Sequence, residues 1–161
     1  MWSVAIACSD SGALSTLRAC IQQTGLMSPI SEWKQTKRGE WQHRPEDPIP
    51  DIVVLGLGRA DLDELFQFAA TIRNSRPSVR IIACASQHDL ELNEVLHTMR
   101  SGGHVTVATV ATKNAFQLVM NAMRYGIQEF LPAPVTAGMF EEFLGRFPGD
   151  DRAPKAEKLI A

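Results

Sequence analysis

The stretch Asp51-Ile52-Val53-Val54-Leu55-Gly56-Leu57-Gly58 constrains the fold more than any other part of the chain. Four apolar residues, mostly β-branched, lie between an acid and a glycine-rich end, with Pro45, Pro48 and Pro50 just upstream. A short unbroken apolar run bounded by breakers is the pattern of a strand buried on both faces. Such strands lie at the centre of parallel sheets covered by helices, and ligands gather outside their carboxyl ends. The functional question is therefore which side chains reach that edge.

The chain has 161 residues, enough for one domain with a sizeable core. Its formal net charge of -2 gives no bulk field for nucleic acid or a membrane surface. No apolar run approaches the roughly 20 residues that span a bilayer. No basic segment precedes the first apolar run, so a secretory signal is not expected. Cys8, Cys20 and Cys84 are widely spaced in sequence and set in apolar segments, which reads as small buried hydrophobes in a reducing, cytoplasmic setting. They form no CxxC and no Cys/His cluster with metal spacing, so no metal and no cofactor is expected.

In chain order, Ser3–Cys8 reads as the first strand, and Ser9-Asp10-Ser11-Gly12 as a turn able to cap a helix. Leu14, Leu17 and Ile21 mark one helical face, stopped at Gly25. Ile30–Gln35 alternates weakly as a second strand. Lys34, Lys37, Arg38 and Arg44 with Trp33 and Trp41 could form a basic–aromatic patch for single-stranded nucleic acid, but Glu32, Glu40, Glu46 and Asp47 are interleaved and favour a solvated loop. After the central strand, Gly56 and Gly58 could admit a close backbone or a small ligand but read first as a tight turn, and Asp61 as the cap of a helix carrying Leu62, Leu65, Phe66, Ala69 and Ile72.

Val79–Ser86 reads as the next strand, followed by a helix through Leu92, Val95, Leu96 and Met99. Val105, Val107 and Val110 suggest a further strand. Then come a helix through Phe116, Val119, Met120 and Met123, a short strand Glu129–Leu131, and a last helix through Met139, Phe143, Leu144 and Phe147. Alternation of strands and helices implies parallel pairing with right-handed crossovers, a doubly wound, three-layer α/β/α sheet of flavodoxin-like type. Residues 95–102 echo residues 119–126 at an offset of 24, the size of one short strand–helix unit, which suggests one extra βα unit.

Val4-Ala5-Ile6-Ala7-Cys8-Ser9-Asp10, Asp51–Leu57 and above all Ala122-Met123-Arg124-Tyr125-Gly126-Ile127-Gln128-Glu129-Phe130-Leu131-Pro132-Ala133-Pro134 resemble the receiver domains of two-component response regulators. More closely, the chain is similar to the N-terminal atypical receiver of pilus-assembly proteins of the CpaE/TadZ kind. Those continue into a ParA/MinD-like ATPase domain. The resemblance implies a receiver-like domain over 1–147 and a linker over 148–161 leading toward such an ATPase, with Glu157–Ala161 similar to the start of its first strand.

A working receiver places an acceptor Asp at the end of its central strand, two acids after the first strand to hold Mg²⁺, a Ser or Thr after the fourth and a Lys before the proline after the fifth. The Asp attacks, and Mg²⁺ and Lys neutralise charge on the transferring phosphoryl group. On the positions of this sequence the acceptor falls on Gly56 and the Lys on Ala133. The acidic pocket is reduced to Ser9 and Asp10, with the hydroxyl on Ala85 or Ser86. Asp51 opens the same strand five residues earlier, about 16 Å away at about 3.3 Å per residue, and cannot substitute. Asp61 and Asp63 lie beyond the turn. Ala133-Pro134 keeps the proline that follows a cis bond in receivers.

His43, His88, His97 and His104 are scattered and read as solvated or capping. No GxSxG, GxxxxGK[ST] or GxGxxG occurs. The resemblance without its chemistry implies a non-enzymatic interaction domain that dimerises and regulates or positions an attached ATPase. Its interaction face would carry Phe116, Met120, Tyr125, Phe130 and Phe140. Phe140 falls out of line with Met139, Phe143, Leu144 and Phe147, so it is the expected exposed apolar contact. The alternatives are an active phosphoreceiver and a flavodoxin-like small-molecule binder, the latter without a visible aromatic pair to hold a flavin.

Overall fold

In the computed structural model, residues 1–8, 10–33, 49–57, 62–86, 90–100, 113–127 and 129–146 are described. The elements are β1 (Trp2–Cys8), α1 (Ser11–Gln23), β2 (Met27–Trp33), β3 (Ile52–Gly56), α2 (Leu62–Ser75), β4 (Arg80–Cys84), α3 (Leu90–Arg100), α4 (Lys113–Arg124), β5 (Glu129–Leu131) and α5 (Ala137–Leu144). The five described strands pair in parallel in the order β2-β1-β3-β4-β5. This is the receiver-type, flavodoxin-like α/β sheet that the strand–helix alternation implies.

The period-two alternation of the central strands sorts the core into two layers. Val4, Ile6, Cys8, Ile52, Val54, Ile82, Cys84 and Leu131 face α1 and α5, meeting Leu14, Leu17, Ile21, Phe140 and Phe143. Ala5, Ala7, Val53, Leu55, Ile81 and Ala83 face α2, α3 and α4, meeting Leu65, Phe66, Ala69, Leu92, Leu96 and Val119. Each fully buried Leu, Ile or Phe contributes about 1.5–3 kcal/mol by leaving water.

The strand ends are fixed by polar contacts away from the carboxyl edge. Asp51 accepts from the Ser3 backbone N–H at 2.9 Å and from the Ser3 hydroxyl at 3.1 Å, tying the amino ends of β1 and β3 together. Gly25 follows α1 with φ +67°, a conformation that favours glycine, and its N–H donates to Gln22 O at 3.2 Å.

Three expectations change. The second strand starts at Met27 rather than Ile30; Pro29 is tolerated because β2 is an edge strand. Trp33 belongs to no surface patch: it is buried and meets Phe68 edge-on at 5.4 Å. Phe140 is not an exposed contact but fully buried, at 0% exposure. The core stripe of α5 is Phe140, Phe143 and Leu144, spaced i, i+3, i+4, while Met139 sits at its edge. The strand read over 105–110, the other residues of the basic–aromatic patch, Asp61 and the linker over 148–161 lie outside the described residues. The strand of the suggested extra βα unit thus lies outside the described residues; among them two helices, α3 and α4, separate β4 from β5 in sequence while the two strands pair directly. Among the described residues, no helix is long and apolar enough to cross a membrane.

Candidate functional site

The strand order reverses direction between β1 and β3, and a cleft of about 370 Å³ opens there at the carboxyl edge. Cys8, Gly56, Leu57, Cys84, Ala85 and Ser86 line it from the strand ends. Asp10, Gly12, Ala13, Thr16 and Leu17 line it from the start of α1, and Ala133 and Val135 from the loop after β5. The fold thus brings Gly56, Asp10, Ser86 and Ala133 together as the register implies, whereas Ser9 lies outside the described residues.

The register also shows why residue 56 is a glycine. Cys8 pairs with Gly56, and Gly56 with Cys84, so all three stand in one row on the α1/α5 face. A Cβ at Gly56 would lie 2.9 Å from Cys8 Cβ, closer still to Cys8 Sγ, and 3.4 Å from Leu17 Cδ1. Gly56 therefore serves a close approach inside a strand rather than the tight turn read from its neighbours.

Asp10 is engaged in structure. Its backbone is extended, at φ -88° and ψ 116°, and its Oδ1 accepts from the Gly12 N–H at 2.9 Å as the N-cap of α1. Among the described residues that line the cleft it is the single carboxylate, and none of them is a Lys or Arg. Like charges about 4 Å apart near a protein surface repel by about 4 kcal/mol. Among the described lining residues, a phosphoryl dianion beside Asp10 would meet no cation. Mg²⁺ asks for several hard oxygen ligands, usually carboxylates, and the described lining residues offer one carboxylate. Among the described residues, no group of three or more His, Cys, Asp or Glu is placed to hold a metal ion.

Sequence reasoning missed Asn93, which is buried on α3. Its Nδ2 donates to Ser86 O at 2.9 Å and its Oδ1 accepts from the Ala133 N–H at 2.6 Å. One turn later, His97 Nε2 lies 3.3 Å from Ala133 O. The Asn93 and His97 side chains thus meet both backbone groups of Ala133. An Asn among the apolar residues of a helix carries no local sign of such a role. The Ala133–Pro134 peptide is cis.

On the expected interaction face, Met120 and Tyr125 are exposed, at 44% and 40%. Met123, one turn after Met120, is 54% exposed. Phe130 is buried in the sheet core with Phe66 and Val119, and so leaves that face. The Phe116 side chain lies outside the described residues.

No protein-family profile matches the chain, and no curated protein matches it. Solved structures do. The chain is similar to a CheY-like protein, TadZ, from Pseudomonas aeruginosa, with 13% identity over 91% of this chain and 98% of that one and a TM-score of 0.55. It is similar to the BeF3-activated receiver domain of DrrB, with 14% identity over 91% of this chain and 96% of that one and a TM-score of 0.54. DrrB is a response regulator of Thermotoga maritima. A third neighbour, from Burkholderia pseudomallei and described as pilus assembly-related, has 14% identity over 91% of this chain and 88% of that one, at a TM-score of 0.51. At these identities the likeness establishes a shared receiver fold.

Proposed function

We propose that this is a receiver-fold interaction domain that accepts no phosphoryl group and acts through its surface, dimerising and positioning or regulating an attached ParA/MinD-like ATPase in pilus assembly. The observation that carries the reading is the occupied space at Gly56, where Cys8 leaves no room for a side chain. Ala133 in place of the lysine and a single carboxylate engaged as a helix cap support it. The neighbours TadZ of Pseudomonas aeruginosa and the pilus assembly-related protein of Burkholderia pseudomallei support the setting. The attached ATPase rests on the resemblance of Glu157–Ala161 to the start of such a domain, and the partner surface on the exposed Met120, Met123 and Tyr125.

Fluorine NMR of the domain with beryllofluoride and Mg²⁺ tests the reading. The expected spectrum contains only free beryllofluoride species. A bound resonance that requires Mg²⁺ would overturn it.

A further inference from the structure

The register between β4 and β5 ends with Cys84 opposite Leu131. Ala85 N–H still donates to Leu131 O at 2.9 Å. In a parallel ladder the next rung would run from Ala133 N–H to Ala85 O. Instead Ala133 N–H donates to Asn93 Oδ1 at 2.6 Å, and Asn93 Nδ2 donates to Ser86 O at 2.9 Å. A carboxamide carries the same donor and acceptor as a peptide group. Asn93, arriving from α3, therefore stands in for a backbone unit between the two strand ends.

The post that carries this carboxamide is firm. Asn93 is 8% exposed, and Leu92 and Leu96 beside it are buried in the core layer shared with α2 and α4. A buried carboxamide is costly unless it is bonded, and losing it would also strand Ser86 O and Ala133 N–H. Pro132 and Pro134 have no N–H, so Ala133 supplies the only backbone donor of that triplet. His97, one turn later on α3, sets Nε2 3.3 Å from Ala133 O. Ser86 and Ala133 both line the cleft, and Cys84, two residues before Ser86, lines it too at 3% exposure. The two rim segments are thus fastened to one side chain that lies outside the lining.

We propose that Asn93 is a latch, a positioning residue whose carboxamide pins the end of β4 and the loop after β5 to α3. Its release opens the cleft rim as a local unit while the centre of the sheet stays folded. The opening is local because β5 is an edge of the described sheet and has three residues, so few rungs hold it once the latch lets go. β3, at the centre, is paired on both sides and buried throughout, and it opens only with the whole fold. Access to the floor of the cleft, and to the Cys84 thiol in it, is then set by α3. This holds whether or not the domain dimerises.

The test follows the Ala133 amide by hydrogen exchange in NMR and the Cys84 thiol by alkylation with N-ethylmaleimide, both on the whole chain. In the parent, which needs no variant to fold, Ala133 N–H should be protected and should exchange through an opening that weak urea barely affects. Val54 N–H in β3 should instead follow global unfolding and its steeper urea dependence. Asn93→Leu removes both bonds and should speed Ala133 exchange and Cys84 alkylation by ~10-fold or more beyond any change at Val54. Asn93→Asp keeps the acceptor for Ala133 N–H and should leave that amide better protected than Asn93→Leu does. An Ala133 amide that exchanges freely in the parent would overturn the proposal. So would equal acceleration of Ala133 and Val54 in Asn93→Leu, Cys84 alkylation unchanged there, or equal loss of Ala133 protection in the two variants.

Discussion

Gly56 and Cys8 share one space. Adding a methyl group at Gly56 drives it into Cys8 Cβ and Sγ, so Gly56→Ala should destabilise the fold by about 1–3 kcal/mol, the usual cost of overpacking. Cys8→Ala removes the sulfur, and the double variant should recover part of that loss, a coupling that a urea double-mutant cycle reads directly. Strictly additive effects would contradict the shared space. The buried Cys84 thiol gives a second handle. Its folded pKa is raised by burial, so the fold keeps a proton that the unfolded chain releases first. The resulting stability is complete below the ordinary thiol range and declines as pH rises above it. Urea midpoints from pH 7 to pH 10 should fall less steeply in Cys84→Ala than in the parent. At this scale the sequence disclosed the Asp10 cap, because a cap is local to its helix. It did not disclose the Cys8 thiol above Gly56, because register between strands 48 residues apart is not written in either strand alone.

α5 reverses the role that helical spacing suggests for Phe140, whereas Met120 on α4 is exposed as expected. Phe140 lies at the buried centre of α5's stripe, so Phe140→Ala should cost about 3–5 kcal/mol in a denaturant melt. Met120 is exposed on α4, so Met120→Ala should change stability by no more than about 0.5 kcal/mol. The same change should shift sedimentation velocity profiles toward the monomer. A large loss of stability in Met120→Ala, or unchanged self-association, would contradict the assignment of that surface. Met139 and Phe140 are adjacent apolar residues in a short helix, so spacing alone leaves the phase of α5 open between them. In α1 the wider spacing of Leu14, Leu17 and Ile21 left no such ambiguity, and its buried face agrees.

For the whole molecule, the sheet was legible because its central strands are buried on both faces and separated by helical periods. Ile52–Leu55 and Val4–Ala7 are apolar throughout, which only a sheet covered on both sides requires. What the pattern could not carry is assembly at the edge, where Cys8, Cys84 and Asn93 arrive from separate elements. The proposed inability to accept a phosphoryl group rests on that assembly, where Cys8 fills the space beside Gly56, as well as on the residue types at the edge. The central claim is tested most directly by the intact mass of the chain after incubation with acetyl phosphate and Mg²⁺. The account predicts a mass unchanged from the untreated chain. A gain of one phosphoryl group that depends on Mg²⁺ and is removed by hydroxylamine would contradict it.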